Sequence, residues 1–199
     1  MEKKSGIKAS YVICGILLVA VVGLSIAYAA LSANLNIEFG TVTQNVQSWN
    51  VAFDTTTSPV TATAGGTSAT GRSCGTATVT STLVTVGATE LSKPGDKCTW
   101  ALTVKNTGSI DAVLTSITPT APTSVACSPM ANASMVCGNI TYKLTTDAAG
   151  TTLLTSGGTL GHTTGSLDVY LVAEYTGADV TDTTVQHSGA KFELLYEQL

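Results

Sequence analysis

The chain reads as all-β: an antiparallel β-sandwich preceded by an N-terminal hydrophobic signal helix. Three observations predict this. Charged residues make up 11% of the 199 positions, against roughly 25% in an average soluble protein, and Thr, Ser, Gly and Ala fill the gap. Exposed helix faces are built from Glu, Lys, Gln and Arg, so this composition favours strands and turns. Apolar residues recur at every second position in several short stretches, which is the period of a half-buried strand. Turn residues punctuate those stretches at regular intervals, and no convincing amphipathic helix follows the N-terminal segment.

The N-terminal segment has the layout of an export signal. Residues 1–10 carry Lys3, Lys4 and Lys8; residues 11–26 are apolar; Ala27-Tyr28-Ala29 then has the small-x-small form that a signal peptidase reads. Cleavage after Ala29 makes Ala30 the first mature residue and leaves 170 of the 199 residues, enough for one domain with a real core. Counted through Leu31 the apolar run is 21 residues long and could span a bilayer, so an uncleaved membrane anchor is the alternative. The Ala-Tyr-Ala ending and the abrupt change of period favour cleavage. The expected organisation is therefore a signal peptide over 1–29, an N-terminal strand over 30–40 and a β-sandwich domain over 41–199.

The N-terminal strand is the most regular stretch. Leu31, Ala33, Leu35, Ile37 and Phe39 alternate with Ser32, Asn34, Asn36 and Glu38, so one face is apolar and the other polar. A strand at a free N-terminus pairs either within its own domain or with a neighbouring molecule. Further on, residues 48–54 place Trp49, Val51 and Phe53 on one face, and residues 55–75 read as loop. Residues 77–86 are β-branched and read as one strand. Lys93-Pro-Gly-Asp96 signals a turn. Beyond it, residues 98–105 alternate with Trp100, Leu102 and Val104 inward, and residues 112–118 are expected to return as the second arm of a hairpin. Residues 119–138 hold three prolines and two cysteines and read as a stapled loop. Ile140, Tyr142 and Leu144 form another alternating set; residues 149–165 read as a glycine-rich connection; Leu167, Val169, Leu171 and Ala173 follow. Phe192, Leu194 and Tyr196 close the chain on one face of a last strand. About eight strands result.

Cys14 lies near the start of the apolar run and would leave with it. Cys74, Cys98, Cys127 and Cys137 remain, an even number in an exported chain, which implies two disulfides. Three pairings are open to sequence alone; the expected one is Cys127–Cys137, closing a short loop, with Cys74–Cys98.

The search for chemistry excludes more than it finds. The N-terminal segment holds three of nine basic and one of thirteen acidic residues, so the remainder carries six and twelve, a formal net of −6. That balance argues against nucleic-acid binding. His162 and His187 lack the adjacent Glu and the second His of a zinc-peptidase helix. No nucleophile elbow or phosphate cradle is present. Glu174, Asp179 and Asp182 do not match a calcium loop. Asn132-Ala-Ser and Asn139-Ile-Thr are glycosylation sequons, meaningful only in a eukaryotic secretory path. The expectation is a protein that is not an enzyme, with no catalytic or metal-ligating residues, no cofactor and no identified small-molecule substrate.

Several stretches together resemble the TasA/camelysin group of exported proteins from Gram-positive bacteria. They are residues 27–37 (Ala-Tyr-Ala-Ala-Leu-Ser-Ala-Asn-Leu-Asn-Ile), Trp49-Asn-Val-Ala-Phe53, Lys93-Pro-Gly-Asp96, Val104-Lys-Asn-Thr-Gly108 and Phe192-Glu-Leu-Leu-Tyr-Glu-Gln198. The resemblance spans the chain at low density and is strongest over residues 27–53. It implies a jelly-roll-like sandwich and, as in the fibre-forming members, an extracellular subunit of a biofilm-matrix filament. There the mature N-terminus, here Ala30 with Leu31, Ala33, Leu35, Ile37 and Phe39, enters the next subunit as a donor strand. It also implies a homo-oligomeric partner and contact with the membrane only through the N-terminal segment. The four mature cysteines and the insertion at 119–138 depart from the group's pattern. A monomeric adhesin or binding domain held at the surface by an uncleaved helix is the competing expectation, and a secreted metallopeptidase is the least supported.

Overall fold

A computed structural model of the chain describes residues 32–37 as backbone, and residues 49–66, 72–178 and 187–199 in full. The chain divides into Met1–Ser32 and Ala33–Leu199; the fold that follows is that of the second unit. The expected signal segment, the cleavage residues Ala27, Ala29 and Ala30, and also Leu31 and Phe39, lie outside the described residues.

Thirteen strands are present among the described residues. The first five are β1 (Ser32–Ile37), β2 (Val51–Phe53), β3 (Thr63–Gly65), β4 (Ala77–Val79) and β5 (Val84–Val86). Four more follow: β6 (Lys97–Asn106), β7 (Ala112–Thr120), β8 (Cys127–Ala131) and β9 (Ser134–Cys137). The last are β10 (Ile140–Thr145), β11 (Thr159–Leu160), β12 (Gly165–Tyr175) and β13 (Lys191–Gln198). No helix occurs among the described residues. One sheet has the order β1-β13-β7-β11; the other has β2-β6-β12-β10-β9-β8, with β3 also paired to β6. Strands β4 and β5 form a separate two-stranded ribbon. The ladders whose register is known are all antiparallel.

The core follows from the alternation. Cys98, Trp100, Leu102 and Val104 of β6 are buried, as are Val169, Leu171 and Ala173 of β12 opposite them. Ala112, Leu114 and Ile117 of β7, with Phe192, Leu194 and Tyr196 of β13, supply the second layer. These two sets, with Trp49, Val51 and Phe53, form one continuous apolar cluster, so the two sheets pack face to face. Trp100 is the largest fully buried side chain, and its indole N–H donates to the Gly75 carbonyl at 2.7 Å. Gly75 must be glycine: a Cβ there would lie 2.5 Å from the Gly87 carbonyl carbon. The Cys74–Cys98 bridge, with Cα atoms 5.7 Å apart, fixes the same corner to β6.

Four sequence expectations change. The single strand expected over 77–86 is a hairpin, because the Thr80 hydroxyl donates to the Leu83 carbonyl and accepts from its N–H, closing a turn in mid-stretch. The hairpin expected from residues 98–105 and 112–118 does not form: β6 and β7 belong to different sheets. The cause is Asn106. Fully buried, it donates from its amide to the Ile110 and Leu160 carbonyls and accepts from the Gly108 N–H. Those bonds hold the chain in a corner that carries it from one sheet to the other.

Residues 119–138, expected as loop, hold the end of β7 and the whole β8–β9 hairpin. Its turn has Asn132 at φ 48°, a position that Asn tolerates. The next turn has Gly138 at φ 57°, where glycine is the natural occupant. Cys127 lies directly opposite Cys137 in the ladder, and the two are bridged. Finally, β3 and β11 arise inside the stretches read as loop and connection. Both disulfides have the expected pairing, and two bridges are typical of extracellular proteins.

Candidate functional site

The feature with most bearing on function is the edge of the four-stranded sheet. Among the described residues β1 is the terminal strand of that sheet, and it is paired with β13. The backbone alternation shows what β13 offers there. Leu114 of β7 donates its N–H to Gly158 and accepts from Gly157, on the side away from β13. Its cross-strand partner is Tyr196. In an antiparallel ladder a pair of this kind directs both sets of backbone groups outward. Tyr196, and by steps of two Leu194 and Phe192, therefore present their N–H and C=O groups to the β1 side. The side chains of the same three residues are buried in the core.

The core behind β13 carries a polar anomaly. Among the described residues the Tyr196 hydroxyl is buried with no hydrogen-bond partner, as is the indole N–H of Trp49. Burial raises the Tyr196 phenol well above the usual tyrosine range. An orphaned buried donor of this sort costs about 1–3 kcal/mol.

Of the expected strand residues, Ala33, Leu35 and Ile37 lie in β1. The alternation of Phe192, Leu194 and Tyr196 was legible in the sequence, but nothing in it marked β13 as the neighbour of β1. Asn106 was legible only as part of a turn; its signal was a buried-strand alternation running without a break into Asn-Thr-Gly.

The two histidines stand apart. His162 is exposed, and Asp111 binds both its backbone N–H and its ring Nδ1. That hydrogen bond lowers the Asp111 carboxyl below the ordinary carboxylate range. His187 Nδ1 lies 2.9 Å from the Tyr142 hydroxyl; burial lowers the His187 pKa and pushes the Tyr142 phenol up to about 12. Glu174 pairs with Lys143 at 2.8 Å, while Asp179 and Asp182 lie outside the described residues. No group of three or more His, Cys, Asp or Glu positioned to hold a metal occurs among the described residues. Asn132 and Asn139 of the sequons sit at the two successive turns around β9. Two surface depressions of about 120 and 290 Å³ are present; Thr115, Ser116 and Asn132 line the smaller, and Lys105, Thr107 and Thr164 the larger.

Two surface carboxylates, Asp54 beside Lys105 of β6 and Asp147 within its own loop, give the fold an acid-dependent component. The Lys105 ammonium hydrogen-bonded to Asp54, with the Thr56 N–H, holds that carboxyl at about 2. The backbone N–H groups of Thr152 and Thr151 hold Asp147 at about 2. A carboxyl whose folded pKa is depressed contributes stability above its unfolded value, lost as pH falls through the folded value. Thermal unfolding followed from pH 5 to pH 2 should therefore show a midpoint that is level down to about pH 4 and then falls. Asp147→Asn should flatten part of that fall. An unchanged slope in Asp147→Asn would show that Asp147 titrates alike in folded and unfolded chains.

Compared with known families, curated proteins and solved structures, the chain gives no match.

Proposed function

We propose that this chain is an exported structural subunit of an extracellular surface or biofilm-matrix fibre, related to the TasA/camelysin group and assembling by exchange of its N-terminal strand. In this reading residues 1–29 are a removable signal helix and Ala30 begins the mature protein. The sandwich is jelly-roll-like in that its first strand lies beside its last while the second strand enters the opposite sheet. The two disulfides support a secreted location.

The observation that carries the reading is the terminal place of β1 next to β13. A strand held at a sheet edge by one neighbour can be replaced there by the same strand of another molecule, which restores every backbone bond. Leu31, Leu35, Ile37 and Phe39 add apolar side chains worth about 1.5–3 kcal/mol each on full burial. Eleven residues separate β1 from Trp49; fully extended they reach about 35–40 Å, enough to pass from one subunit to the next.

The test uses the exported chain and its Leu35→Asp variant. The parent should form long polymers at high concentration. The variant should not, because a charge on the apolar face of the strand has no partner in a buried slot. Polymers of equal length from both would overturn the proposal. The pairing of β1 with β13 in its own chain favours one second reading, a self-complemented monomer anchored by an uncleaved helix. The N-terminal residue of protein recovered from the cell surface separates the two: Ala30 fits the fibre subunit and Met1 the anchored monomer.

A further inference from the structure

Strand addition needs an open edge with alternating donors and acceptors, and natural sheets commonly protect their edges with charge, bulges or proline. Among the described residues, the seven-stranded sheet ends at β8 on one side and at the short β2 and β3 on the other. β8 is largely exposed, with Met130 40% accessible, and carries no charged residue. It does carry Pro129, inside an irregularity of the ladder between Cys127 and Met130. The second edge lies on β7. β11 covers only Ala112 and Val113 of that strand, with Leu114 bonded just beyond. From Thr115 to Thr120 β7 pairs with β13 alone among the described residues.

The alternation that turns Phe192 and Leu194 toward β1 also turns their partners, Pro119 and Ile117, toward this open side of β7. Pro119 thus stands where a backbone N–H would otherwise face an incoming strand, and its lack of that donor interrupts the edge. This part of β7, Thr-Ser-Ile-Thr-Pro-Thr, is also uncharged, as is β1, so no like-charge repulsion keeps two copies of the chain from meeting edge to edge.

We infer that Pro119 is an edge guard that excludes strand addition by a second copy of this chain at β7. This guarding is a property of the folded subunit and does not rest on the fibre reading.

The full exported chain is compared with its Pro119→Thr and Pro119→Ala variants, each also in a Leu35→Asp background. Both restore the N–H, and threonine also suits a strand. Association is followed by light scattering and sedimentation, and folding by near-ultraviolet circular dichroism. The expected result is a gain of association by folded variants over the parent that persists with Leu35→Asp, because the newly opened edge does not use β1. Variants that fold and associate no more than the parent overturn the inference, as does association seen only after the folded spectrum is lost. Pro119→Ala decides the matter if Pro119→Thr does not fold. A parent that stays monomeric while the variants associate sinks the fibre reading and leaves the guard in place; a polymerising parent matched by its variants does the reverse.

Discussion

Replacing Trp100 by alanine is expected to cost about 3–5 kcal/mol, a large part of the roughly 5–15 kcal/mol that holds a domain of this kind folded. The side chain is 1% exposed on β6, between the stretches of that strand paired with β3 and with β2. Its loss leaves a cavity, because the corner around it cannot close in. Cys98 is bridged to Cys74, and Gly75 is already in backbone contact with Gly87. The Gly75 carbonyl also loses its donor. In urea unfolding the midpoint should drop sharply with little change of slope. A loss below about 1 kcal/mol would mean the site repacks and the core is less tightly determined than its burial implies.

Asn106→Ala should rank second. It strips partners from two carbonyls, Ile110 and Leu160, and from the Gly108 N–H. The bonds to Leu160 and Gly108 are buried, and each buried group left unsatisfied costs about 1–3 kcal/mol, so a loss of about 2 kcal/mol follows even at the low end. Asn106→Asp should be no milder, since it removes both donors and places a carboxylate where the side chain is fully buried. Hydrogen exchange offers a second readout: protection should fall first at the β6–β7 corner and at the end of β11, where Asn106 makes its bonds. Uniform loss across both sheets would show instead that the corner and the core unfold as one unit.

These two residues also mark what sequence could and could not reveal. Trp100, Leu102 and Val104 were legible because a half-buried strand writes its inward face at every second position, and the same holds for Trp49, Phe192 and Tyr196. Pairing is another matter. Alternation says which side of a strand is buried and nothing about its neighbour. The stretches on either side of Asn-Thr-Gly-Ser therefore looked like one hairpin, although the buried Asn106 amide sends them into opposite sheets. Prolines misled in residues 119–138 because they were weighed as strand breakers. Pro119 and Pro129 lie instead on edges, where a missing N–H is tolerated.

The short strands β3 and β11 had no apolar alternation to announce them. The cysteine pairing was favoured by loop size, and the ladder explains it for Cys127 and Cys137, which face each other across the β8–β9 hairpin. At the candidate site the sequence supplied the strand and the fold supplied its edge: the alternation of residues 31–39 was plain, whereas the slot beside β13 exists only once the chain has folded.

Whether that slot is filled by the chain's own β1 or by a neighbour's is the central claim, and isotope-mixed cross-linking tests it most directly. A photo-reactive residue in place of Asn34, on the polar face of the strand, is introduced into both unlabelled and ¹⁵N-labelled protein. The two are mixed, assembled and irradiated, and peptides joining β1 to β13 are weighed. Strand exchange between subunits predicts mixed-isotope pairs in statistical proportion to the two populations. Pairs carrying a single isotope throughout, in assembled material, would place β1 in its own domain and contradict the account.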